Sequence, residues 1–296
     1  MINTVRSEEN PVLLLDCGGF FTNRFINIAG KLITDKGLKA ANLMGYTAMN
    51  VGTGEFSFGV DFLRERASEL TFPLVASNLS YAEGVSPFTK RYVMAQAGDL
   101  KVAILGVMPS GILEKMPGSR ASGVVEVIPP AEALESILPG IRKEADIVIL
   151  LSQLGFEGTQ RLVGTVKGID LALYGGKEND PAKCGEEVKA SSSAGESVTP
   201  VLKANAKGSH LGYARLSVDT EGRVAAGPTK MIFLDESVAM NETVLAITGT
   251  DIHKVVAEEQ KRAAEEQNRE IEKLHKLTPM EYMQKLLKEQ KGEINQ

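Results

Sequence analysis

Two glycine-rich segments gather the residue types in this sequence that could do chemistry. Leu13 to Phe21 reads LLLDCGGFF and sets a carboxylate, Asp16, and a thiol, Cys17, ahead of Gly18 and Gly19. Val51 to Gly59 reads VGTGEFSFG and carries Thr53, Gly54 and Glu55. Ser152-Gln153 and the run Gly175-Gly176-Lys177-Glu178-Asn179 follow two further apolar stretches. An apolar run ending in small and polar residues is how a strand delivers side chains to a turn. Neither glycine-rich turn is a nucleotide cradle, since no Gly-Lys-Ser/Thr follows and Ser57 stands where a GxGxxG motif has its third glycine. Histidine is scarce: there are 3, and His253 and His275 fall in a charged C-terminal segment, leaving His210 for a core site. The 2 cysteines, Cys17 and Cys184, are too few for a disulfide framework and too far apart for a CxxC motif.

The chain around these residues is long enough, at 296 residues with 43% apolar and 24% charged, to bury a large core. Lys and Arg number 33 against 38 Asp and Glu, a net charge of -5. That balance lacks the basic excess that draws proteins to nucleic acid or anionic lipid, so no nucleic-acid partner is expected. Runs such as Val12 to Leu15 and Ile147 to Leu151 fall well short of the about 20 residues a membrane-crossing helix needs, so no membrane insertion is expected. The opening MINTVRSEENPVLLLD, as given, has no cationic stretch leading into an apolar segment and a small-residue cleavage site.

From Val12 to Leu173, β-branched or Leu-rich runs alternate with amphipathic stretches, the rhythm of an α/β layer protein. Strands are predicted at 12–16, 47–51, 73–76, 91–96, 101–107, 146–151 and 169–173, and helices at 22–43, 59–70, 130–143 and 156–166. Continuous apolarity in VAILGV and IVILL predicts central strands covered on both faces. After about residue 185 strands with turn signals predict a β layer, with a hairpin turn at Asp219 to Gly222. KCGEEVKASSSAGESVTP, between the halves, is predicted as a loop.

Residues 251–296 differ in kind, with ten acidic and nine basic residues in 46 positions. A boundary near Thr250 divides the chain into 1–250 and a charged helical extension, 251–296. Glu258 with Arg262, Glu265 with Arg269, Glu272 with Lys276 and Glu281 with Lys285 are i,i+4 pairs of the stabilising polarity. Thr278-Pro279 followed by Glu281 marks the start of a second helix. The apolar stripe is thin, so the extension either projects into solvent or docks on a protein partner or a downstream domain.

In order and spacing, LLLDCGG, MGYTAMNVGTGEFSFGVDFLRE, FPLVASNL, GDLKVAILGVMP, ADIVILLSQLG, GIDLALYGG and TPVLKANAKGSHLGYARLSVD resemble the N-terminal domain of the 5'-nucleotidase-like metallophosphoesterases. The resemblance spans about residues 5–234 and implies the calcineurin-like fold, a four-layer αββα sandwich. In that family the strand ends present Asp, Asn and His to two divalent cations that polarise a phosphoryl group and activate water. The motif letters here depart from that pattern. DxGD is DCGG, which puts Gly19 at the bridging aspartate. GNHE is GTGE, so Thr53 and Gly54 stand for the metal-binding Asn and the catalytic His, and Ser57 for the Asp that orients it. The family's Ser-His is Ser152-Gln153, and its GGH motif has Lys177 at the first ligand position. The DxH pair of an earlier strand has no counterpart, which leaves open a longer natural N-terminus.

A dinuclear site needs several imidazoles and carboxylates converging on each cation, and one core histidine does not supply them. No catalytic residue, metal ligand or cofactor is therefore assigned. The expected vestigial pocket comprises Asp16, Gly19, Thr53, Gly54, Glu55, Gln153, Lys177, Glu178 and Asn179. Lys177 either pairs with Asp16, Glu55 or Glu178 in place of a cation or points to solvent. Cys17 and Cys184 lie, by the family's topology, on one rim. They form a thiol pair or a reactive Cys17 thiolate in a polar turn, or else are unrelated thiols with Cys17 buried. His210 reads as a structural hydrogen-bonding residue, and Phe20, Phe21, Phe56 and Phe58 as core.

The expectation is a non-catalytic structural or interaction module. The alternatives are a phosphoester hydrolase with cations held by Asp16, Glu55, Glu178 and Asn179, and a thiol-redox role centred on Cys17. By resemblance the location is the periplasm or cell envelope, otherwise the cytoplasm.

Overall fold

The computed structural model describes residues 1–21, 28–111, 113, 124–175, 188–189, 199–204, 210–220 and 224–249, with helical positions between 254 and 280. Contacts divide the chain into two units, Met1–Thr248 and Gly249–Gln296. The first half of the first unit runs α1 (Ile2–Glu8), β1 (Leu15–Asp16), α2 (Ile28–Met44), β2 (Ala48–Asn50), α3 (Val60–Glu69), β3 (Leu74–Val75), β4 (Leu79–Tyr81), β5 (Tyr92–Ala97) and β6 (Leu100–Val107). It continues with β7 (Val125–Val127), α4 (Pro130–Ile141), β8 (Ile147–Ser152), α5 (Gly155–Thr165), β9 (Leu171–Gly175), β10 (Val188–Lys189), β11 (Pro200–Ala204), β12 (His210–Val218), β13 (Val224–Phe233) and α6 (Glu242–Thr248).

Two sheets form the centre. One has the order β1-β2-β3, all parallel; the other has the order β10-β11-β9-β8-β6-β5, in which β11, β9, β8 and β6 are parallel. Side chains of a strand alternate between faces, and here both faces are apolar because both are covered. Ala48 and Val75 of the first sheet meet Val102, Ile104, Ile149, Leu171 and Leu202 of the second in one core. Their neighbours Met49 and Leu74 turn outward onto Leu38 and Ala41 of α2 and Phe62 and Leu63 of α3. On the far side Ala103, Leu105, Val148, Leu150 and Ala172 pack on Leu134 and Leu138 of α4 and Leu162 and Val163 of α5. Three cores between four layers make the αββα sandwich, and burying each Leu, Ile or Val contributes roughly 1.5–3 kcal/mol.

The continuous apolar runs become the central strands, as their composition predicts. The helix predicted at 22–43 is described from Ile28, residues 22–27 lying outside the described residues. Strands do follow residue 185, as β10 to β13, and β11 joins the second sheet as a parallel neighbour of β9. β12 and β13 pair antiparallel, with Val218 opposite Val224, and residues 221–223, which include part of the expected turn, lie outside the described residues. The β4-β7 ribbon has three residues per strand, too few for periodicity to reveal. The sequence reading also missed α1. Arg6 of that helix donates to the carbonyls of Met44 and Gly45 at 2.8 and 2.7 Å, capping the C-terminal end of α2 with a cation.

In the second unit the described positions from Lys254 to Met280 are helical and exposed, and Arg269 lies 3.9 Å from Glu265. Among the described residues no helix is long and apolar enough to cross a membrane.

Candidate functional site

Parallel strands in both sheets aim their carboxyl ends at one rim, where an open α/β layer offers a crevice to ligands. The turn after β1 carries Cys17, Gly18 and Gly19, and the turn after β2 carries Gly52, Thr53 and Gly54, the last opening a single 3₁₀ turn to Phe56. Gln153 follows β8, and Gly175 ends β9.

Gln153 fills the space between these turns. Its side-chain Nε2 donates to the carbonyls of Gly18 at 2.7 Å and Cys17 at 2.9 Å. Two carbonyl acceptors fix which end of the amide is nitrogen. Two glycines make room for it: a Cβ on Gly52 would stand 2.8 Å from Gln153 Cγ and one on Gly175 2.5 Å from Nε2. Beneath it Ser152 is locked by a 2.7 Å hydrogen bond between its hydroxyl and that of Thr159 on α5, and the Gln153 N–H donates to Val107 O at 3.0 Å.

Glu55 is completely buried, and its carboxylate accepts four backbone N–H groups. Oε1 takes those of Phe20 at 2.6 Å and Phe21 at 3.2 Å; Oε2 takes those of Gly19 at 2.9 Å and Gly52 at 2.8 Å. Both glycine-rich turns are therefore bound to one side chain. Gly54 has no space for a side chain either, because a Cβ would lie 2.9 Å from Phe21 O and 3.2 Å from Gly19 Cα.

Asp16 is half-buried, and its Oδ1 accepts the Gly18 N–H at 2.7 Å. Burial, with a smaller contribution from the Glu55 carboxylate, pushes its carboxyl up to about 6 against the Gly18 hydrogen bond, which lowers it. Asn50, a polar residue within β2 that sequence reasoning passed over, donates to Cys17 O at 3.0 Å and Val107 O at 3.1 Å, tying the two sheets. Its signal was a lone amide in an otherwise apolar strand. Asn78, in the FPLVASNL block, bonds the backbone of Met108 in both directions and donates to Ile128 O.

No protein-family model matches the chain. Snake venom 5'-nucleotidase of Gloydius brevicauda is 28% identical over 267 residues, 83% of this chain and 43% of that protein. The 5'-nucleotidase of Bos taurus is 27% identical over 278 residues, 86% of this chain and 45% of that protein. The chain thus spans less than half the length of these curated relatives. Among solved structures, a putative 5'-nucleotidase from Staphylococcus aureus superposes with a TM-score of 0.67 at 18% identity, covering 86% of this chain and 51% of that one. The calcineurin-like phosphoesterase YfkN from Bacillus subtilis does so with 0.64 at 22% identity, covering 87% and 88%. The chain carries a 5'-nucleotidase-like metallophosphoesterase domain.

Two divalent cations are what this fold implies at the rim, and the residues described there do not fit them. The Gly18 and Cys17 carbonyls already accept from Gln153, which meets them with N–H donors, and both Glu55 oxygens are taken by backbone amides. Gly19 and Gly54 bring no donor side chain, and among the described residues no three His, Cys, Asp or Glu side chains converge. Glu55 is correspondingly not available as the ion-pair partner or cation ligand considered from sequence. Thr53 immediately precedes the 3₁₀ turn beside it.

Of the readings left open for Cys17, the buried one holds and the reactive thiolate in a polar turn does not. Cys17 is buried in the core between the sheets of this metallophosphoesterase-like domain, with Val75, Ile104 and Leu151, and burial pushes its thiol well up, the opposite of activation. Cys184, Lys177, Glu178 and Asn179 lie outside the described residues. His210 begins β12 and stacks edge-on against Phe233 at 4.6 Å. Phe21 and Phe56 are core, with Phe20 and Phe58 packed against them.

Proposed function

We propose that this metallophosphoesterase-like domain is non-catalytic and serves as a structural or interaction module. The observation that carries it is the position of Gln153, whose side chain fills the space where the strand-end turns converge and spends its donors on their carbonyls. Hydrolysis at such a rim needs an open coordination position and a water with access to it. The burial of the Glu55 carboxylate under four amides supports the same reading. A protein partner, or a domain downstream, engaged through the charged C-terminal helices is part of the proposal and follows from their charge pattern. A periplasmic or cell-envelope location is proposed on resemblance alone.

The second reading, a metal-dependent hydrolase of nucleotide-type phosphoesters, is favoured by the relatives that bear the name 5'-nucleotidase. Metal analysis of purified protein, with turnover of an aryl phosphate and of AMP in added Mn²⁺ or Zn²⁺, separates the two. Substoichiometric metal without turnover is expected. Stoichiometric metal with turnover overturns the non-catalytic reading.

A further inference from the structure

We propose that the backbone amides of Gly19, Phe20, Phe21 and Gly52 form a carboxylate-binding nest whose ligand is the chain's own Glu55. The two glycine-rich turns hold their shape by binding this internal anion. Four N–H groups divide two and two over the carboxylate oxygens, at 2.6 and 3.2 Å on Oε1 and 2.9 and 2.8 Å on Oε2. Such a set suits a planar, bidentate anion.

The backbone is shaped for that arrangement. Gly18 and Gly19 both take left-handed conformations, at φ of 87° and 78°, which swing successive N–H groups to one side. Gly18 cannot be another residue there, since a Cβ would stand 2.6 Å from Asn50 O. Three of the donors come from the turn after β1 and one from the turn after β2, so the anion reaches across 34 to 36 residues of sequence. Without it, four buried or half-buried N–H groups would face one another with no acceptor. Glu55 is thus a positioning residue, acting through charge and acceptor geometry, and the inference stands whether or not the domain is catalytic.

Chemical rescue of the full chain tests this. Glu55→Ala is expected to melt roughly 10 °C below the native chain. Added formate should recover a saturable part of that loss beyond chloride at matched ionic strength, by mass action at the vacated nest. Native protein and Glu55→Gln, in which the space stays filled, should show no such formate-specific gain. An unchanged melting temperature in Glu55→Ala, or recovery no greater with formate than with chloride, overturns the proposal. If Glu55→Ala does not fold, Glu55→Asp and Glu55→Gln decide it. The shorter anion should be the more stable of the two, although the amide is the closer match in shape; the reverse order overturns the inference.

Discussion

The side-chain amide of Gln153 lies 2.7 Å from the carbonyl oxygen of Gly18, joining the end of β8 in one sheet to the turn after β1 in the other across 135 residues of sequence. A neutral amide draws these strand ends together, meeting two carbonyls with N–H donors.

Removing that amide should therefore loosen the whole rim. Gln153→Ala deletes two part-buried hydrogen bonds to the carbonyls of Cys17 and Gly18, at a cost of about 1–3 kcal/mol. Gln153→Glu is nearly isosteric but sets an anionic acceptor against the carbonyls of Cys17 and Gly18, so it should lose about as much at neutral pH. Urea titration should show a lowered midpoint with unchanged slope in both variants.

Space at Gly54 predicts a second outcome. Because a Cβ there would press on backbone atoms of Phe21 and Gly19 rather than on a movable side chain, Gly54→Ala should destabilise by about 1–3 kcal/mol. Gly140→Ala in α4, with no atom within 4 Å of the added Cβ, should be neutral or stabilising by up to about 1 kcal/mol. Thermal melts of the two variants side by side check this. A histidine at position 54 meets the same backbone obstruction.

Asp16 gives the stability a pH dependence of defined sign. Its folded value, raised from 3.8 to about 6, means that folding favours the protonated carboxyl. The contribution is complete below about pH 4 and is lost as pH rises through about 6. Asp16→Asn keeps a carbonyl acceptor for the Gly18 N–H and removes the ionisation. It should match the native chain near pH 4 and exceed it at pH 7 by up to about 3 kcal/mol. Denaturant midpoints across that range measure the gap.

Burial of Cys17 predicts silence toward thiol reagents. In a Cys184→Ala variant, where Cys17 is the sole cysteine, the native protein should react with an aromatic disulfide only as fast as it opens, and at once in denaturant. Rapid stoichiometric labelling of the folded variant contradicts the buried placement.

Much of the layer architecture was legible in the chain itself. VAILGV and IVILL are apolar at every position, which only a strand covered on both faces tolerates, and they became β6 and β8 at the centre of the second sheet. The departures from the family's motif letters at Gly19, Thr53, Gly54 and Gln153 were equally visible, because a missing donor type is a property of composition. Spacing gave no hint of β4 with β7, nor of β11 joining β9 as a parallel neighbour, since strand pairing between distant segments leaves no local period.

The amino-acid order alone decided which chemistry the rim is short of, because glycine and threonine cannot become imidazole or carboxylate in any fold. What fills the rim was decided only in three dimensions. Glu55 in sequence is an acid free to bind a cation or a lysine, and becomes a ligand of four amides only when two turns close around it. Cys17 in sequence sits in a polar turn, yet its side chain faces the core between the sheets. Direction of a side chain, and the partners left for it after backbone groups have been satisfied, depend on contacts between segments far apart in the chain.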